Sequence, residues 1–89
     1  MSKEDVSFSP ASPRYALTLK LGDTLSCLGL EPVTRTMDKE QNCHVLSALG
    51  VTIRVYTPYK IEIQLDDGFK HKCSGEMDAK QFLIQRLFK

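Results

Sequence analysis

Several features that announce a function are missing from this chain. No apolar run approaches the roughly 20 residues that a membrane-spanning helix needs, so no segment is expected to cross a bilayer. Met1-Ser2-Lys3-Glu4-Asp5 is polar and no apolar stretch follows it, which argues against a secretory signal. A surplus of one charge is also missing. Lys plus Arg number 12 and Asp plus Glu 11, a formal net charge of +1, where a nucleic-acid binder concentrates positive charge. The three cysteines, Cys27, Cys43 and Cys73, are an odd number without framework spacing, and the expectation is reduced thiols in cytoplasm or nucleus. The five glycines (22, 29, 50, 68 and 75) stand singly at element ends, so no glycine-rich phosphate loop is present. Paired acids occur only at Asp66-Asp67, in a turn where Asp is favoured for backbone reasons.

What is present is a period of two. Val51, Ile53 and Val55 alternate with Thr52, Arg54 and Tyr56. Tyr59, Ile61, Ile63 and Leu65 alternate with Lys60, Glu62 and Gln64, and Phe69, His71 and Cys73 with Lys70 and Lys72. This pattern predicts a three-stranded antiparallel meander with one buried and one wet face. Its register follows from the turns. A two-residue Asp67-Gly68 loop pairs apolar Leu65 with Lys70. A three-residue loop pairs Leu65 with Phe69, Ile63 with His71, Glu62 with Lys72 and Gln64 with Lys70, and gives Gly68 the left-handed position. The same logic at Tyr56-Thr57-Pro58 pairs Val55 with Tyr59 and Ile53 with Ile61, and sets Arg54 against Lys60, a mildly unfavourable like-charge pair.

Elsewhere the elements are read from local signals. Residues 1–13 carry four serines and two prolines and are expected to form a disordered tail, with residues 14–89 as a single domain. Ser9-Pro10 and Ser12-Pro13 fit a proline-directed kinase pattern. Tyr15, Leu17, Leu19 and Leu21 alternate with polar residues and predict a strand, with a turn at Gly22-Asp23-Thr24. Residues 25–30 are read as a second strand, with a short helix as the rival, and 31–36 as a loop or edge segment. Asp38 with Gln41 forms a capping pair ahead of an apolar face, and Gly50 is placed to end a helix, so 38–49 is read as helix. The rival there is a strand with Cys43, Val45, Ser47 and Leu49 inward. Asp78 with Gln81 starts a terminal helix whose apolar stripe is Ala79, Leu83, Ile84, Leu87 and Phe88, leaving Phe82 on the polar side. The fold class is therefore α+β, an antiparallel sheet of three to five strands with a C-terminal helix packed across one face. A single domain of this size hides only about 60% of its unfolded surface and is marginal alone.

Candidate chemistry is sparse. Cys43-His44 with His71 and Cys73 offers four metal donors, but without the C-x2-C spacing of zinc fingers and ribbons. Cysteine catalysis needs a base and an orienting group set by motif, and none is present. No catalytic, cofactor-binding or metal residue is assigned, no small-molecule substrate is evident, and the chain is read as non-enzymatic. The wet face displays Arg54, Lys60, Lys70 and Lys72, but single-strand binders also stack bases on exposed rings, and Tyr56 alone qualifies. Nucleic acid is accordingly the alternative. The preferred reading is a protein–protein interaction module, or self-association, through an exposed sheet edge, with Phe82 and Tyr56 as anchors and Arg54, Lys60, Lys70 and Lys72 as the basic surface.

From Val45 to Leu87 the expected order is helix, the junction Ala48-Leu49-Gly50-Val51, a meander with the Asp67-Gly68 turn, and a final helix ending Arg86-Leu87. This order resembles the RWD-type globular heads of outer-kinetochore coiled-coil subunits. The resemblance implies a non-enzymatic partner-binding module in cell-division or scaffold assembly. An extra N-terminal unit, Tyr15 to Leu30, and the lack of a coiled coil depart from that pattern. The strands followed by a crossing helix are also similar to a polo-box domain, provided that 42–49 is a strand. Neither likeness carries specific functional residues over.

Overall fold

The computed structural model of the chain describes residues 12–87. The elements run α1 (Pro13–Cys27), β1 (Thr34–Asp38), β2 (Cys43–Ala48), β3 (Val51–Thr57), β4 (Lys60–Leu65), β5 (Lys70–Cys73) and α2 (Glu76–Leu87). The five strands form one antiparallel sheet in the order β1-β2-β3-β4-β5, and the α+β class with a C-terminal helix holds. The tail predicted over 1–13, with Ser9-Pro10, falls outside the described residues except for Ser12 and Pro13. Those two belong to the fold: Pro13 opens α1, where its missing N–H costs nothing, and Ser12 is buried.

The meander follows its alternation. Val51, Ile53, Val55, Ile61, Ile63 and Cys73 point into one core with Leu46 of β2. The β4–β5 register is the predicted one, with Ile63 opposite His71, Glu62 opposite Lys72 and Gln64 opposite Lys70. Leu65 N–H donates to Phe69 O at 2.8 Å, and Gly68 takes φ 91°. The β3–β4 register differs from expectation by two residues. Val55 faces Ile61, Ile53 faces Ile63 and Arg54 faces Glu62, with a bulge before Thr57. A two-residue slip keeps every side chain on its face, removes the Arg54–Lys60 repulsion and leaves Tyr59 80% exposed in the turn. Tyr59 N–H donates there to Thr57 Oγ1 at 3.1 Å.

Two segments are corrected outright. Residues 13–27 are a helix, not a strand with a turn at Gly22. Its buried residues are Arg14, Leu17, Thr18, Leu21 and Leu25, a three-and-four spacing that a period of two hides because Tyr15 and Leu19 are also apolar. The strand favoured over 25–30 is replaced by the last turn of α1 and the loop that follows. Gly22 lies inside the helix where it crosses β2; a Cβ there would sit 3.7 Å from Leu46. Residues 38–49 are not a helix but the β1–β2 hairpin arm. Asp38 Oδ1 does accept the Gln41 N–H, at 3.1 Å, but the bond closes a turn rather than a helix end. Asn42 completes that turn at φ 55°, and Gly50 at φ 74° forms the next hairpin with Leu49. The inward residues of β2 are His44, Leu46 and Ala48, not the Cys43, Val45, Ser47, Leu49 set; Cys43 is buried on the opposite face.

Both helices lie on the same face of the sheet. Leu17, Leu21 and Leu25 of α1 and Ala79 and Leu83 of α2 complete the core. Lys20 Nζ reaches Glu76 Oε1 at 3.7 Å between the helices. Arg14 ties the start of α1 to the sheet: its Nη1 donates to Asn42 O at 2.7 Å and Tyr56 O at 3.0 Å. Burial pushes the Arg14 pKa down, yet the guanidinium stays charged because its ordinary pKa is so high.

Candidate partner-binding surface

The face of the sheet turned away from the helices carries Thr34, Thr36 and Asp38 of β1, Val45 and Ser47 of β2, Thr52, Arg54 and Tyr56 of β3, Glu62 and Gln64 of β4, and Lys70 and Lys72 of β5. These positions follow from the cross-strand register. Among the described residues no helix covers them. The predicted basic residues Arg54, Lys70 and Lys72 meet here, and Lys60 joins them with its Nζ 5.3 Å from the Tyr56 ring centre.

Their charge is partly used within the face. Arg54 Nη1 donates to Gln64 Oε1 at 3.1 Å and lies 3.9 Å from Glu62 Oε1. Glu62 stands directly between Arg54 and Lys72 across three strands. Tyr56 donates its hydroxyl to Gln41 Oε1 at 3.1 Å, and burial, with the nearby Cys43 and Glu62, pushes its pKa up. Cys43, under the same side chains, has its thiol pKa raised by burial and then by Asp38.

Phe82 is not on this face. It stacks on His71 at 4.2 Å between ring centres and on Phe69 at 6.0 Å, at the β5 end of the helix-covered side. Arg86 caps that stack 5.0 Å from the Phe69 ring. The α2 stripe is therefore Ala79, Phe82, Leu83 and Leu87, with Ile84 turned outward; Phe88 lies outside the described residues. The two anchors proposed from sequence sit on opposite sides of the sheet.

The surface that sequence reasoning left as a loop or edge segment is β1. Four of its five residues are exposed, and β2 is its one neighbour in the sheet. On the helix side, Arg35 lies 4.5 Å over the Tyr15 ring, and Tyr15 meets His44 edge-on at 5.7 Å. His44 is buried and its pKa is pushed down, by burial first and then by Arg14 and Arg35. Pro32 and the paired threonines were the available signals for a strand at the sheet margin. A separate groove of about 590 Å³, mostly apolar, runs between Lys20, Thr24, Cys27 and Leu28 of the α1 end and Lys80 and Ile84 of α2.

No protein-family model, curated protein or solved structure matches the chain. No helix among the described residues is long and apolar enough to cross a membrane.

Proposed function

We propose that this chain is a non-catalytic protein–protein interaction module that takes an extended strand, from another protein or a second copy, alongside β1. The observation behind the reading is Thr34–Asp38, an exposed edge strand paired on one side alone. Such an edge presents a row of backbone donors and acceptors to an incoming strand, and alternate side chains give selectivity. Here Arg35 and Met37 flank one side and Thr34, Thr36 and Asp38 the other. Arg54, Lys60, Lys70 and Lys72 steer an approaching acidic partner more than they hold it. Tyr56 serves as the anchor on the uncovered face; Phe82 serves the β5 edge.

The polo-box likeness requires a strand over 42–49 before a crossing helix, and β2 and α2 support it. The kinetochore-head likeness is built on a helix where β2 stands. A role in scaffold assembly, cell division included, is proposed on these likenesses. The free cysteines support a cytoplasmic or nuclear location.

A photo-crosslinker introduced at Thr36 tests the site. It should join two copies, or the chain to a second protein, and Thr34→Lys should suppress the product without changing the melting curve. An equal yield from a crosslinker at Leu49, exposed on the β2–β3 turn, would overturn the assignment.

The second reading is single-stranded nucleic acid on the basic face, favoured by the shared placement of Arg54, Tyr56, Lys70 and Lys72. A salt titration with Lys60, Lys70 and Lys72 neutralised decides it. Tight binding that is lost on neutralisation would promote this reading.

A further inference from the structure

His71 and Cys73 alternate on β5 and so project to the same face, and Asp78 enters from the first turn of α2. One donor atom of each, an imidazole nitrogen, a thiol sulfur and a carboxylate oxygen, lies within 4.8 Å of the other two. We propose that His71, Cys73 and Asp78 form a binding site for a thiophilic divalent cation of the zinc class, with three protein donors and a fourth position open to water.

Nitrogen, thiolate and carboxylate are the ordinary donors of Zn²⁺, at about 2.0–2.3 Å each, which places ligand atoms roughly 3.5 Å apart in a tetrahedron. His71 Nε2 and Asp78 Oδ1 are already 3.8 Å apart. No pair of the three donor atoms is more than 4.8 Å apart, so the widest gap exceeds the tetrahedral spacing by about 1 Å at most. The supporting shell is in place. Asp78 Oδ2 accepts the Ser74 N–H at 3.2 Å, which leaves Oδ1 directed at His71. The Phe82 ring lies parallel to the imidazole at 4.2 Å and fixes its plane. Partners of this kind orient metal ligands and hold them ready.

Cys73 is buried, while His71 and Asp78 are half-exposed, so an ion enters from solvent and meets the sulfur last. Burial, and then Asp78, pushes the Cys73 thiol up to about 11. Coordination converts the thiol to a metal-bound thiolate and releases its proton to solvent. A hard cation such as Mg²⁺ or Ca²⁺ gains little from sulfur and is rejected. Cys43 and His44, also weighed as donors from sequence, are on β2, with β3 and β4 between them and β5. Asp78 is the residue that brings the third donor, and it carries no motif signal because it also reads as a helix-start residue.

The experiment uses the full chain with metal alone. Zn²⁺ titrated calorimetrically should bind one equivalent and raise the melting temperature. Co²⁺ should give a thiolate-to-cobalt charge-transfer band with the intense visible absorption of tetrahedral coordination. Cys73→Ser should abolish the band, and His71→Gln and Asp78→Asn should each weaken binding more than about tenfold, the least that losing a supporting partner costs. Cys27→Ser and Cys43→Ser should leave it unchanged. A band that survives Cys73→Ser, or that disappears with exposed Cys27, overturns the site, as does the absence of binding at one equivalent. If Cys73→Ser fails to fold, the half-exposed His71 and Asp78 variants decide alone; unchanged affinity in both overturns the proposal.

Discussion

The two faces of the sheet are built from the same strands and have opposite fates. Ile53 and Arg54 are neighbours on β3; Ile53 is fully buried under the helices, and Arg54 lies on the uncovered face between Glu62 and Gln64. On the covered face the apolar residues lock against α1 and α2 in one arrangement. On the other face polar side chains satisfy one another locally and leave the backbone edge at β1 available. The difference teaches that alternation assigns residues to a face without saying what lies above it. Stability belongs to the covered face, and the uncovered face is left to its own polar pairs.

Substitutions can break this division. The largest effect is expected from Leu83→Asp, which places an unpaired charge in the core and should cost more than about 4 kcal/mol, leaving no cooperative melting transition by circular dichroism. Ile53→Ala should cost about 2–5 kcal/mol by denaturant titration. Its neighbour Arg54→Ala should cost less than about 1 kcal/mol, because a part-exposed pair at 3.9 Å contributes little. Near-equal losses at these two adjacent positions would show that something covers the second face. Arg14→Ala sharpens the comparison from the helix side. It removes a charged donor from two backbone carbonyls and should cost about 1.5–3 kcal/mol, with Arg14→Lys restoring only part of it.

The smallest effect is expected from pH. His44 has its folded pKa lowered below the ordinary 6.5, so the unfolded chain takes up that proton first as pH falls. Its contribution is intact above about 6.5 and is lost as the pH drops through the lowered folded value. The melting temperature should decline over that window, and His44→Gln should flatten the decline. An unchanged slope in the variant would assign the acid sensitivity to other groups.

How legible the fold was depended on where the deciding contacts lie. The β4–β5 hairpin was readable because Leu65, Gly68 and Phe69 settle its register within five residues. The α1 segment was not, because Tyr15, Leu17, Leu19 and Leu21 satisfy both periods, and only packing on Leu46 and Ile53 chooses the helix. Asp38 and Gln41 made a true local bond that serves a hairpin as well as a helix. In the candidate surface, the basic residues were legible from alternation alone. The β1 edge was legible only in part, with 31–36 read as a loop or edge segment, because exposed strands lack the apolar pattern that identifies buried ones. The placement of Phe82 on the polar side of the last helix overlooked that Phe69 and His71 offer it a stack, a contact set by tertiary placement rather than spacing.

The strand order follows chain order without exception, and that has a kinetic consequence. Each strand finds its neighbour across a short hairpin, so pairing the sheet closes only small loops, whereas α1 must wait for β2 and β3 to be present before Leu17, Leu21 and Leu25 have a surface to cover. During synthesis α1 emerges before its partner strands and carries an uncovered leucine row past the exit of the ribosome. The sheet can therefore zip progressively while α1, made before it, is among the last elements to be sealed. Pulsed amide exchange during refolding should protect β3 and β4 ahead of α1.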